Sequence, residues 1–257
     1  MNILRIGKVE KYLYEKLKDN KAIHITLIDP EKSKIEAGKI AQEAEKAGSS
    51  AIMVGGSIGV SEKILDETIL SIKEKTRIPV ILFPGNLNGI SKYADAIWFM
   101  SLLNSSNTYY VIDVQALGSI IIKQYGIETI PMGYLIVGEG GAAGYIGQAR
   151  CIPYDHPEIA AIYALAGQYL GMRFIYLEAG SGAKMPVPPL MIKKVKNLIS
   201  IPLIVGGGIK TKDQARRAVK AGADIIVTGT IIEEKGIIKE KIKRIIHGIR
   251  EGVKERN

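Results

Sequence analysis

Three successive hydrophobic strands in the C-terminal half of this chain each run straight into glycine. Phe174-Ile175-Tyr176-Leu177 leads into Glu178-Ala179-Gly180-Ser181-Gly182, Leu203-Ile204-Val205 into Gly206-Gly207-Gly208, and Ile225-Ile226-Val227-Thr228 into Gly229-Thr230. A glycine in or beside a strand costs roughly 0.5–1 kcal/mol of backbone entropy. Repeating it at adjacent strand ends points to a need beyond turning the chain. Small residues there bare backbone N–H groups, and a phosphate can approach them closely. The plain alternative is that the glycines only serve tight turns.

The remaining chain repeats the order strand, then helix. Apolar runs predict further strands at 22–28, 51–54, 79–83, 96–99 and 130–137,. Helical spacing predicts helices at 35–47, 61–75 (with Ser61 as N-cap), 108–125, 156–170, 189–197, 211–221 and 237–256, and a short one near Ser91,. The glycine-rich stretch 138–153 reads as an extended loop,. Eight strands with a helix after most of them predict an α/β fold, a (β/α)8 TIM barrel, as a single domain over residues 1–257,. Residues 47–56 resemble 221–230, and 78–82 resemble 201–205, as repeated βα units would,. An open doubly wound sheet is the alternative, weakened by the absence of Gly-x-Gly-x-x-Gly after the first strand,.

Composition bounds the function. Hydrophobic residues make up 47 % and aromatics only 6 %, so Ile, Val and Leu fill the core, as in parallel barrels,. The net charge of +9 is concentrated toward the last helix, where solvated helix faces account for it; attraction to anionic substrates or to a membrane surface, as a peripheral contact, is the sharper reading,. Basic and aromatic residues are not interleaved on one face, so no nucleic-acid partner is expected,. Cys151 is the sole cysteine, which precludes an intrachain disulfide and fits a reducing, cytoplasmic location,. No signal-like or membrane-spanning segment is seen,.

In a barrel the active site lies where strands end. Those junctions hold Asp29, Gly55-Gly56-Ser57, Pro84-Gly85-Asn86, Glu178 with Gly180 and Gly182, Gly207-Gly208 and Gly229-Thr230. Asp29 and Ser57 offer a carboxylate and a hydroxyl across the mouth from the glycines, a set that suits Mg²⁺ with its other ligands from substrate phosphates,. Alone, Asp29-Pro30 is also an ordinary helix-start signal,. Glu178 is placed to accept a proton from a substrate hydroxyl, or to bind that hydroxyl without taking its proton,. His156 and His247 read as surface residues and His24 as a partly buried strand residue. Trp98, Phe99, Tyr93 and Tyr125 are candidates to line an apolar groove, or plain core aromatics.

The chain resembles the geranylgeranylglyceryl phosphate synthases along nearly its whole length. The resemblance rests on Leu27-Ile28-Asp29-Pro30, Val54-Gly55-Gly56-Ser57, Phe99-Met100-Ser101-Leu102-Leu103-Asn104-Ser105, the run from Ile130 to Val137, Tyr176 to Gly182, and Val205-Gly206-Gly207-Gly208-Ile209. It implies a barrel that transfers a geranylgeranyl group from its diphosphate to the 3-hydroxyl of sn-glycerol 1-phosphate, with Mg²⁺. Carried over by residue, it implies metal binding by Asp29 and Ser57. It implies glycerol 1-phosphate binding by Tyr176, Leu177, Glu178, Ala179, Gly180, Ser181, Gly182, Gly207, Gly208, Gly229 and Thr230, with Glu178 and Tyr176 catalytic. A homo-oligomer, dimer or hexamer, is also implied. The alternatives are a barrel using a longer (heptaprenyl) diphosphate, an unrelated sugar-phosphate lyase or isomerase, and a non-catalytic phosphate- or lipid-binding barrel. The loop at 138–145 is looser than the proline- and tryptophan-bearing loop of relatives, and Glu31 replaces a common aspartate.

Overall fold

The computed structural model describes residues 6–33, 36–56, 60–229 and 237–256. Its strands are β1 (Ile23–Ile28), β2 (Ala51–Val54), β3 (Val80–Leu82), β4 (Ala96–Leu102), β5 (Glu128–Ile136), β6 (Phe174–Glu178), β7 (Leu203–Gly206) and β8 (Ile225–Thr228). All are parallel and hydrogen-bonded in chain order, and β8 closes onto β1. Closure leaves no unpaired sheet edge and rules out the open doubly wound sheet. The protein is a (β/α)8 barrel.

The helices are α1 (Lys8–Asn20), α2 (Pro30–Ser33), α3 (Ala37–Ala47), α4 (Glu62–Lys75), α5 (Val114–Tyr125), α6 (Gly141–Ile146), α7 (Pro157–Tyr169), α8 (Pro189–Leu198), α9 (Lys212–Lys220) and α10 (Ile238–Glu255). Ser61 caps α4 as expected, accepting from the Ile64 N–H at 3.3 Å,.

Strand side chains alternate between two apolar layers. Along β6, Phe174 and Tyr176 point into the barrel with Met53, Ile81 and Ile204, while Ile175 and Leu177 point outward against the helices. The next inward position after Tyr176 is Glu178, so the alternation itself delivers this carboxylate to the barrel mouth.

Helix α1 plugs the opposite end, which the sequence reading missed. Val9 and Leu13 enter the barrel-interior cluster. The Glu128 carboxylate accepts the Val9 and Glu10 N–H groups at 2.8 Å each, and buried Glu10 pairs with Arg173 at 2.7 Å. The apolar face of α1 is too thin to stand out among its charged residues. Three further differences follow from contacts with neighbouring elements. The segment 138–153 contains α6 rather than being all loop, and β4 runs on to Leu102 because it ladders with β5 as far as Tyr134. The expected helix near Ser91 is a single turn of tighter helix at Leu87–Gly89; Ser91 instead donates from its hydroxyl to Asp66 on α4.

Acidic residues of α10 are tied to α9, with Glu251 paired to Lys212 at 2.7 Å and Glu255 to Arg216 at 2.8 Å.

Candidate active site

The C-terminal strand ends surround a cavity of about 200 Å³. Its rim carries Asp29 after β1, Gly55 and Gly56 after β2, Glu178 at the end of β6, Ser181, Gly207 and Gly208 after β7, and Gly229 after β8. Asp29 and the glycine rim therefore face one space. They are also closer than the sequence reading had them. Because β8 pairs with β1 (Thr26 opposite Thr228), Asp29 stands on the strand next to Gly229 rather than across the mouth.

Glu178 is 6 % exposed and accepts the Gly180 N–H at 2.7 Å. Burial pushes its carboxyl above the usual carboxylate range, opposed by the Gly180 N–H and the neighbouring Tyr176 hydroxyl,. Tyr176 is fully buried, and burial together with the Glu178 charge holds its hydroxyl well above the ordinary tyrosine range. That hydroxyl makes no well-aligned hydrogen bond, although it lies near enough to Glu178 for each to perturb the other. Two glycines make this packing possible. A Cβ on Gly206 would fall 2.0 Å from the Tyr176 hydroxyl oxygen. Gly207 has φ +80°, and a Cβ there would fall 2.5 Å from Oε1 of Glu178 and 2.8 Å from the Gly180 nitrogen,.

Three rings stand beside the carboxylate. Phe83 stacks on Tyr176 at 5.6 Å between centroids, and Tyr134 meets Tyr176 edge-on at 5.4 Å and Phe83 edge-on at 5.5 Å. Phe83 and Tyr134 escaped the sequence reading because they lie on other strands; their position at or just inside strand ends was the available signal.

The cavity has an apolar arm. Strand β3 is short, and its ladder to β4 ends at Leu82 opposite Ile97. Beyond that point no described strand pairs with β4 on that side, and the cavity reaches Phe99 and Met100 of β4, Ile90, and Val114, Gly118 and Ile122 of α5. Of the four aromatic groove candidates, Trp98 and Phe99 line the cavity, whereas Tyr93 and Tyr125 are not among its lining residues.

Other candidates divide. Tyr176, Glu178, Ser181, Gly207, Gly208, Gly229 and Asp29 line the cavity. Leu177 and Ala179 belong to the outer apolar layer. The Ala179 N–H is engaged by the Gly206 carbonyl at 3.1 Å and the Gly180 N–H by Glu178, so neither amide is open to an anion. Gly182 is not among the lining residues. Ser57 and Thr230 lie outside the described residues. Lys210 lines the rim beside Gly208 and was not singled out in the sequence.

Asp29 does two things at once. Its Oδ1 accepts the Glu31 N–H at 3.1 Å, so it opens α2 as the turn reading expected, yet its carboxylate still lines the cavity. The Lys32 ammonium stands 4.0 Å from Oδ2. Among the described residues no three His, Cys, Asp or Glu side chains gather as a metal cage. The Asp29 carboxylate facing an open cavity, with no histidine or cysteine among the described lining residues, is a donor that fits Mg²⁺, which keeps waters and substrate oxygens as its other ligands,.

Among the described residues, the buried side-chain atoms without a hydrogen-bond partner are Trp98 Nε1, Gln115 Oε1 and the Tyr176 hydroxyl. All three residues line this cavity.

The sequence pattern of the PcrB family matches residues 15–249. The chain belongs to the PcrB family. Among its PcrB-family relatives, the geranylgeranylglyceryl phosphate synthase of Thermococcus gammatolerans is 58 % identical over 253 residues, covering 98 % of this chain and all of that protein. The synthase of the same name from Thermofilum pendens is 54 % identical and covers 98 % of each chain. The crystal structure of (S)-3-O-geranylgeranylglyceryl phosphate synthase from Thermoplasma acidophilum in complex with sn-glycerol-1-phosphate superposes with a TM-score of 0.91 at 44 % identity, covering 96 % of this chain and all of that one.

Proposed function

We propose that this PcrB-family protein is a geranylgeranylglyceryl phosphate synthase. It forms an ether bond between the 3-hydroxyl of sn-glycerol 1-phosphate and the geranylgeranyl group of its diphosphate, releasing diphosphate. The observation that carries this reading is the continuity of one cavity from the glycine rim, past Glu178, into the apolar arm.

Each region has a task. The rim at Gly207, Gly208 and Gly229 takes the phosphate, and the hydroxyl end of glycerol then faces Glu178. The apolar arm between β4 and α5 takes the prenyl chain. About twenty carbons at ~0.8 kcal/mol each amount to roughly 16 kcal/mol of gross burial, of which only a part appears as affinity after the chain is ordered. Asp29, with Ser57 as second candidate, would hold Mg²⁺; the ion supplies charge neutralisation that makes diphosphate a better leaving group.

In the reaction the allylic C–O bond breaks, and its electron pair leaves with diphosphate. The glycerol oxygen forms the new C–O bond, and its proton passes to the Glu178 carboxylate. Burial makes that carboxylate a stronger base than an exposed one,. Positive charge developing on the allylic carbon meets the ring faces of Phe83, Tyr134 and Tyr176, which stabilise cations by roughly 0.5–2 kcal/mol each. Holding both ends of the acceptor turns the encounter into an effectively intramolecular step.

The longer-chain alternative has less support, since the relatives compared above carry the geranylgeranyl name. No described helix is long and apolar enough to cross a membrane. A homo-oligomer belongs to the proposal. The exposed Leu117 and Ile120 of α5, with Ile112 just before it, support it, and light scattering tests it. The function itself is tested by incubating the protein with both substrates and Mg²⁺ and analysing products by mass spectrometry. The ether product with stoichiometric diphosphate is expected; unreacted substrates would overturn the proposal.

A further inference from the structure

His24 is a buried titratable side chain that the proposed reaction does not use. It sits on β1 between Ile23 and Ile25, which point into the barrel, so it points outward, toward the layer beneath the helices. Both ring nitrogens are bonded. Nδ1 is 2.8 Å from the Ser49 hydroxyl, and Nε2 is 2.9 Å from the Thr228 hydroxyl. Ser49 in turn is 2.8 Å from the Thr26 hydroxyl. All four side chains are buried. Burial lowers the imidazole pKa to about 3, so the ring is neutral over the working range, and rotating hydroxyls complete either tautomer,.

The placement of Thr228 gives this network a consequence. Thr228 is the last residue of β8; Gly229, which follows it, lines the cavity at the phosphate rim. On its inner side Gly229 rests on the Leu27 side chain, where a Cβ would meet Leu27 atoms at 3.4–3.5 Å. On the outer side the Thr228 hydroxyl is held by His24. An apolar side chain at position 24 would leave the buried Thr228 hydroxyl without its ring partner,. A satisfied polar network allows one arrangement, because any shift leaves a buried group unpaired.

We propose that His24 is a positioning residue for the phosphate subsite: through Thr228 it fixes the β8 strand end from which Gly229 meets the substrate. This rests on the reading of the glycine rim as the phosphate site.

Steady-state kinetics on His24→Gln, His24→Asn and Thr228→Val, with thermal unfolding of each, test the inference. A glutamine amide reaches the Nε2 position and keeps the bond to Thr228, whereas an asparagine amide reaches only the Nδ1 position and keeps Ser49. His24→Asn is expected to raise KM for sn-glycerol 1-phosphate roughly ten-fold, about 1.4 kcal/mol, with kcat and KM for the prenyl diphosphate within about two-fold. His24→Gln should restore KM, and Thr228→Val should match His24→Asn. Equal effects of Gln and Asn, a rise in both KM values together, or a lowered Tm with unchanged KM would overturn the inference. If His24→Asn does not fold, the isosteric Thr228→Val decides by the same readout. The wild-type arm separates the two claims: no use of sn-glycerol 1-phosphate there would sink the phosphate reading itself.

Discussion

Replacing Gly207 by alanine tests whether the strand-end glycines are there for close packing. Gly207 has φ +80°, where an L-residue costs about 1–2 kcal/mol,. Its new Cβ would stand 2.5 Å from Glu178 Oε1, 2.8 Å from the Gly180 nitrogen and 2.9 Å from the Ala179 nitrogen. The carboxylate can retreat, but both amides are pinned, Ala179 by the Gly206 carbonyl and Gly180 by Glu178. Forcing atoms into such a site costs about 1–3 kcal/mol more. The total of about 2–5 kcal/mol corresponds to a drop in Tm of roughly 4–20 °C for a chain of this size. Gly182→Ala is the control. It has φ +73° but nothing within 4 Å of the added Cβ, so only the conformational cost of about 1–2 kcal/mol applies,. Displacing Glu178 by about an ångström should also lower kcat/KM about 100-fold in Gly207→Ala, against less than about ten-fold in the control. Calorimetry and turnover on both variants measure these effects. Equal Tm changes, or wild-type turnover in Gly207→Ala, would refute the packing argument.

Other perturbations separate the remaining roles. Glu178→Gln keeps an acceptor for the Gly180 N–H but cannot take the proton, so kcat should fall by about 10²–10⁴ while sn-glycerol 1-phosphate still binds calorimetrically; an unchanged kcat would remove Glu178 from the chemistry. Because burial raises the Glu178 pKa, wild-type activity should decline, as pH falls, at values above the ordinary carboxylate range. The same shift favours the protonated form in the folded state, so stability is lost as pH rises through that raised value, and Glu178→Gln should be at least as stable as wild type at neutral pH. Asp29→Asn should abolish Mg²⁺-dependent turnover with Tm nearly unchanged; normal Mg²⁺ dependence in the variant would refute its metal role. Gly118 faces the apolar arm, where an added Cβ would already stand 3.2 Å from Ile90 Cδ1. Gly118→Ile should therefore shift the preference in kcat/KM toward shorter prenyl diphosphates by more than about ten-fold, and an unshifted preference would show that the chain lies elsewhere.

The strands were legible because each is a local apolar run that stops at a glycine or a turn residue, and the barrel follows from their number and spacing. The mouth was legible for a related reason: Asp29, Glu178 and Gly207 each occupy the first position after, or the last position of, such a run. What escaped is tertiary in origin. Helix α6 is only six residues long, and its two glycines offset its two helix-forming alanines; in the fold Gly144 packs near Cys151 and Ile136,. The aromatic group joins residues 83, 134 and 176 from separate strands, and no spacing rule links them. His24 could be placed on a strand, but its full burial depends on Thr228, 204 positions away.

A crystal structure with sn-glycerol 1-phosphate and an unreactive analogue of geranylgeranyl diphosphate bound together tests the central claim most directly. The glycerol phosphate is expected at the amides of Gly207, Gly208 and Gly229, its 3-hydroxyl within hydrogen-bond reach of Glu178, and the prenyl chain in the arm beside Phe99 and Gly118. A phosphate bound away from the β7 and β8 ends, or a prenyl chain outside that arm, would contradict it.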